Sequence, residues 1–210
     1  ENDVLFSVKN LYKFHKLSPQ KDEFCAGVYI LSKSHFNHFY NFFFEFGREK
    51  IRTDTEGKSY YKNWYVAEKN SNFVGAFFGF IVDNPYPEID YENELEFWIP
   101  FKELEMLASG TWLLQVISIL PEYRGKNYAK DLLLKAEQVA LEHSAKKITL
   151  QVEEVNNIAV KAYLANGYQE VDRREFIPFP FSNDSGYLIL MEIMQPSIML
   201  IKMKSIILMI

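Results

Sequence analysis

The stretch that decides the fold is SILPEYRGKNYAKDLLLKAEQVALEH, Ser118 to His143. It opens apolar, turns at Pro121, and exposes Arg124-Gly125-Lys126-Asn127 before a helical pattern sets in. The spacing predicts a helix from about Asn127 to Ser144, with Ala129, Leu132, Leu133, Ala136, Val139 and Ala140 on one apolar face. The first turn of such a helix has unpaired backbone N–H groups and a partial positive charge. Gly125 keeps a Cβ out of a ligand's way, and Arg124 and Lys126 add charge. A buried strand that hands over to a helix through these residues is a candidate anion site of the phosphate kind. It is not a P-loop, because the Gly-Lys-Ser/Thr ending is absent.

Working outward, TWLLQVISIL (111–120) reads as a central strand, being apolar except at Thr111, Gln115 and Ser118. NWYVAEK and FVGAFFGFIV read as two strands joined by a turn at Asn70-Ser71-Asn72. An acidic, proline-bearing segment follows, with a short helix expected at Phe101 to Leu107. Downstream, KKITLQV is a strand, and NIAVKAYLANGY a helix stopped at Gly167. YQEVDRR and YLILMEI form a hairpin across EFIPFPFSNDSG. Near the N-terminus, FCAGVYIL reads as a strand and SKSHFNHFYNFFFEF as a helix that Ser34 caps. The expected order is strand, helix, three strands, helix, strand, helix, two strands, an α/β layer on a mixed sheet.

Composition narrows the function. The 210 residues are 48% hydrophobic and 24% charged, with 16% aromatic, which suits a thick aromatic core. The formal charge of −5 argues against a nucleic-acid partner. The lone Cys25 excludes an internal disulfide and has no neighbouring basic group to activate it, so a reducing, cytoplasmic setting is expected. His35 and His38 read as helix residues; no zinc-type cluster and no metal is expected. ENDVLFSVKN lacks the basic head and long apolar run of a signal peptide. No apolar run reaches the roughly 20 residues of a membrane span. The tail 196–210 is apolar but broken by Lys202 and Lys204; an extra strand, a partner-binding segment, a surface anchor and a homodimer contact are its readings.

LPEYRGKNYAKDLL resembles motif A of the GNAT superfamily of N-acetyltransferases, Arg/Gln-x-x-Gly-x-Gly/Ala. Arg124 fills its first position and Ala129 its last, while Asn127 stands where the middle glycine is usual. VEEVNNIAVKAYLANGYQEV resembles the family's Asn-x-x-Ala-x-x-x-Tyr helix, with Asn156, Ala159 and Tyr163 in place and Gly167-Tyr168 closing it. The resemblance runs from about Trp64 to Ile193. It implies one GNAT-like domain over 1–195, with an N-terminal strand and helix region at 25–60 and an acetyl-CoA-binding half at 111–193. It also implies a mixed, mostly antiparallel central sheet with splayed central strands and flanking helices. The co-substrate implied is acetyl-CoA. Its pyrophosphate would rest on Arg124, Gly125, Lys126, Asn127, Tyr128 and Ala129, and its pantetheine arm on the backbone of Ile117, Ser118 and Ile119. Asn156 would hold the arm, and Tyr163 would protonate the leaving thiolate. The Cβ of Asn127 would narrow the phosphate cradle and weaken binding.

The activity implied is direct acetyl transfer to a primary amine. Orientation, a base, an oxyanion donor and an acid are what this chemistry needs. Glu153, Glu154, Glu94 and Glu96 are candidates for the base, none assigned. Asp83 to Glu105 holds eight carboxylates against one lysine, Lys102, a net −7, while the rest of the chain carries +2. Such a flap would concentrate a cationic acceptor. A small, cationic amine is therefore the expected acceptor, with EFIPFPF (175–181) as the facing wall of its pocket. A protein or peptide N-acetyltransferase and a non-catalytic acyl-CoA-binding module are the alternatives, the latter favoured by Asn127 and the tail.

Overall fold

The computed structural model describes residues 60–178 and 185–194, together with 5–6, 13–16, 49, 51, 53 and 55–58. The expected strand FCAGVYIL, the helix with His35 and His38, Cys25, residues 179–184 and the tail 196–210 lie outside the described residues. The chain divides into two units, Glu1–Phe80 with Gln115–Ala136, and Ile81–Leu114 with Glu137–Ile210.

The first unit holds β1 (Leu5–Phe6), β2 (Lys13–Lys16), β3 (Trp64–Lys69) and most of β4 (Asn72–Ile81). It also holds the second half of β5 (Trp112–Ile119) and the first half of α2 (Tyr128–Glu142). β1, β2, β3 and β4 pair antiparallel in sequence order. β1 and β2 were not anticipated, since neither segment is long or regular enough to show a period. The β3–β4 turn is a tight one: Asn70 and Ser71 sit at φ 50° and 62°, as a two-residue hairpin with right-handed strand twist requires. Alternation then puts Trp64, Val66, Ala76 and Phe78 on one face, in a cluster with Ile51 and Val116. Trp64 and Phe78 lie 4.6 Å apart. On the opposite face Tyr65 stacks on Phe77 at 5.1 Å. Gly75 marks the close approach of β4 to β5, because a Cβ there would lie 2.4 Å from the carbonyl oxygen of Ser118.

The second unit holds the first half of β5, then β6 (Lys147–Glu153), β7 (Gln169–Glu175) and β8 (Tyr187–Met194), in the order β5-β6-β8-β7. α1 (Ile99–Leu107), α3 (Asn157–Ala165) and the second half of α2 belong to it as well. β5 and β6 are parallel over Trp112↔Ile148 to Leu114↔Leu150, the one parallel pairing described. β8 pairs antiparallel with β6 and with β7, which confirms the expected terminal hairpin. Leu188, Leu190, Ile148, Leu150 and Leu113 are all buried, so these strands are covered on both faces. The fold is a mixed, mostly antiparallel α/β sheet with helices, as the sequence leads one to expect. Among the described residues no helix is long and apolar enough to cross a membrane.

Candidate functional site

In the first unit, β5 ends at Ile119 and Pro121–Tyr123 makes one 3-10 turn. The chain then passes through Arg124, Gly125, Lys126 and Asn127, all exposed, into α2. Gly125 has φ 73° and Asn127 has φ 64°. Both are left-handed, a region that glycine enters at no penalty and asparagine more readily than most residues. Asn127 thus takes a left-handed conformation that a glycine at this position could also take. Among the described residues a Cβ on Gly125 would meet no atom within 4 Å.

Within the loop, one N–H is engaged by the chain itself. The N–H of Arg124 donates to the carbonyl of Pro121 at 3.2 Å, closing the 3-10 turn. Its guanidinium Nε donates back to the carbonyl of Ile119 at 3.2 Å. Lys126 Nζ donates to the carbonyl of Glu122 at 3.0 Å, so both cations are folded onto the loop. Tyr128 and Ala129, half-buried, begin the helix. A cation that the sequence did not signal joins them: Lys69, at the end of β3, lies 5.3 Å over the Tyr128 ring and donates to its hydroxyl at 3.4 Å. No periodicity marks a residue that arrives from a distant strand.

Strand geometry separates the three β5 residues. Leu120 N–H donates to Val74 at 2.9 Å, and the Ser118 carbonyl abuts Gly75, so Ser118 turns its backbone to β4. Successive residues of a strand face opposite edges. The backbone groups of Ile117 and Ile119 consequently face away from β4, and those of Ser118 do not.

In the second unit, Asn156 is the N-cap of α3, its Oδ1 accepting the N–H of Ala159 at 3.2 Å. Its carbonyl oxygen is thus engaged within the chain, which leaves the Nδ2 amide as the group for a ligand. Tyr163 lies on α3, half-buried, with its ring 5.8 Å from that of Tyr168. Burial pushes the Tyr163 phenol up to about 12, so it stays protonated through the neutral range. Of the candidate bases, Glu154 pairs with Arg173 at 3.2 Å and Glu94 with Lys102.

The acidic segment is less bare than its composition suggests. Arg174 Nε holds Glu103 at 2.7 Å, and the Tyr86 hydroxyl donates to Glu105 at 2.9 Å. Asn93 donates to Asp90 from its side chain at 2.8 Å and its backbone at 3.2 Å, and these bonds hold the Asp90 carboxyl below its ordinary range. Glu88, Glu92 and Glu96 are exposed, and among the described residues no ion pair engages them. Phe176, the first phenylalanine of the expected pocket wall, is 5% exposed and packs edge-on against Phe101 at 6.4 Å. Among the described residues no cluster of His, Cys, Asp or Glu is placed to hold a metal.

Residues 31–168 match the profile of the Acetyltransferase (GNAT) family. Among solved structures, the chain is similar to an N-acetyltransferase from Staphylococcus aureus Mu50, at 16% identity and TM-score 0.59, over 86% of this chain and 99% of that one. It is similar to a spermidine N-acetyltransferase chimera from Vibrio cholerae and hSSAT, at 19% identity and TM-score 0.59, over 89% and 96%. The PaiA N-acetyltransferase of Thermoplasma acidophilum, solved with coenzyme A, matches at 16% identity and TM-score 0.54, over 87% and 98%. No curated protein sequence matches the chain. With residues 31–168 matching the family and a mixed, mostly antiparallel sheet with helices, the chain belongs to the GNAT acetyltransferase family and is an N-acetyltransferase.

Proposed function

We propose that this enzyme takes the acetyl group of acetyl-CoA and passes it to a primary amine of a small cationic molecule, in the cytoplasm. The observation that carries the co-substrate is the Gly125–Asn127 loop. Two left-handed residues, a Gly125 with no described atom within 4 Å of where a Cβ would lie, and the start of a fifteen-residue helix meet there. The residues fit a pyrophosphate. The N–H groups of Gly125 to Ala129 would receive it. Arg124, Lys126 and Lys69 would supply charge around it. Ile117 and Ile119 would pair with the pantetheine arm through their outward backbone groups, and Asn156 through its Nδ2 amide. Bound acetyl-CoA supplies an activated thioester carbonyl.

The chain's own work is to place the amine on that carbonyl and manage two protons. The amine nitrogen bonds to the carbonyl carbon, the carbon–sulfur bond breaks, and the sulfur receives the Tyr163 proton. The amine's surplus proton passes to a carboxylate or water. A phenol at about 12 is a weaker acid than a free tyrosine. Transfer from such a phenol would be matched only where loss of water also raises the basicity of the thiolate. The exposed Glu88, Glu92 and Glu96 favour a cationic acceptor, and the likeness to a spermidine N-acetyltransferase is in keeping with that class.

The test is acetyl-CoA-dependent thiol release over polyamines, aminoglycosides, amino acids and peptides with free N-termini or lysines. Turnover on polyamines or aminoglycosides is expected; turnover on peptides alone would replace this acceptor. Tyr163→Phe is expected to lower kcat by about a hundredfold or more while acetyl-CoA still binds. Acetyl-CoA binding with no turnover on any amine would favour the binding module.

A further inference from the structure

Lys69 reaches the Gly125–Asn127 loop from a strand that is far away in sequence, and the sheet aims it there. Side chains alternate along β3, so Lys69 stands on the same face as Tyr65 and Ala67. That face carries α2: a Cβ on Gly75, the partner of Ala67, would lie 3.2 Å from a methyl of Leu132. The β3–β4 pairing passes from Ala67↔Gly75 to Glu68↔Phe73 and skips Val74, a bulge of the kind that re-aims side chains. Just beyond it, Lys69 meets the first residue of α2. Its Nζ lies 5.3 Å from the centre of the Tyr128 ring and 3.4 Å from the hydroxyl. A ring face and a neutral hydroxyl hold an ammonium in place and do not cancel its charge. Arg124 and Lys126 are placed differently, closing back on the carbonyls of Ile119 and Glu122.

We propose that Lys69 binds the 3′-phosphate at the nucleotide end of coenzyme A and so makes the enzyme prefer acetyl-CoA to its 3′-dephospho form. The inference rests on the reading of the Gly125–Asn127 loop as the pyrophosphate site. The backbone groups of Ile117 and Ile119 that would pair with the pantetheine arm face away from β4. β3 lies on the other side of β4, so Lys69 comes to the loop from the side opposite the arm. A ligand that crosses the loop from the arm brings its nucleotide end toward Lys69. Charge then selects the group. The pyrophosphate is a diester and is received by backbone N–H groups. The 3′-phosphate is a monoester of about −1.5 to −2 charge at neutral pH, the match for a compact ammonium on a flexible stem. The charge that Lys69 lends the pyrophosphate is general; its direct contact is with the monoester.

The experiment is a calorimetric titration of the full chain with coenzyme A and with 3′-dephospho-coenzyme A. The parent is expected to bind coenzyme A about tenfold more tightly, the worth of a charge-assisted hydrogen bond. Lys69→Met keeps the apolar stem and removes the charge. It is expected to cut the preference to about twofold or less, chiefly by weakening coenzyme A, while Lys69→Arg retains most of it. Equal binding of the two compounds by the parent overturns the inference without any variant. So does a folded Lys69→Met that weakens both by the same factor, which confines Lys69 to the pyrophosphate, or that weakens neither. Failure of the loop reading gives a different result: neither compound binds the parent, and both readings fall together.

Discussion

At the scale of single residues, Asn127 stands left-handed where the family motif usually has a glycine. In the proposed phosphate cradle the backbone turns to the left here, at φ 64° on an asparagine. Glycine there should bind coenzyme A as well or better, as measured by calorimetry. Valine should weaken binding and lower stability by about 1–2 kcal/mol, the penalty of a branched side chain in the left-handed region. Glu137 makes a second prediction. Its folded carboxyl holds a proton up to about 7, against 4.5 for an ordinary glutamate. The folded state therefore binds more protons between those values. Its contribution to stability is complete below about 4.5 and is lost as pH rises through about 7. The loss is at most about 3 kcal/mol. Thermal melts at pH 5 and pH 8 should differ in the parent and converge in Glu137→Gln.

At the scale of elements, the close contact of β4 with β5 depends on a missing side chain. Gly75→Ala would push a Cβ to 2.4 Å from a backbone oxygen, which cannot rotate away. A loss of about 1–3 kcal/mol in urea unfolding is expected, as for overpacked cores. Displacement of Ser118 and Ile119 would lower acetyl-CoA affinity as well. The α3 cap behaves alike. Asn156→Ala removes the acceptor for the Ala159 N–H and should destabilise by about 1 kcal/mol.

At the scale of the whole molecule, charge is distributed unevenly: a chain of −5 contains a segment of −7. Local pairing divides that segment. Glu94 and Glu103 answer Lys102 and Arg174, whereas Glu88, Glu92 and Glu96 face solvent. Replacing the latter three with glutamine should raise KM for a polycationic amine by about tenfold at low salt, and by less at high salt. A neutral amine should show no change in the same assay. Equal effects on both amines would exclude steering.

Much of this was legible along the chain. The long periodic helix, the β3–β4 and β7–β8 hairpins and the two motifs are local patterns. Spacing and turn residues specify them without knowledge of the fold, and the acetyltransferase family follows from them. What needed the tertiary structure is whatever depends on residues far apart in sequence. Lys69 reaches Tyr128 from another strand. Ser118 loses its outward backbone groups to β4, and Phe176 sinks against Phe101. Glu137 looks like any helix glutamate until packing buries it. Periodicity and propensity are properties of neighbours along the chain, and those the sequence determined by itself. Burial, electrostatic coupling and strand direction are properties of neighbours in space, and only the packed structure decided them.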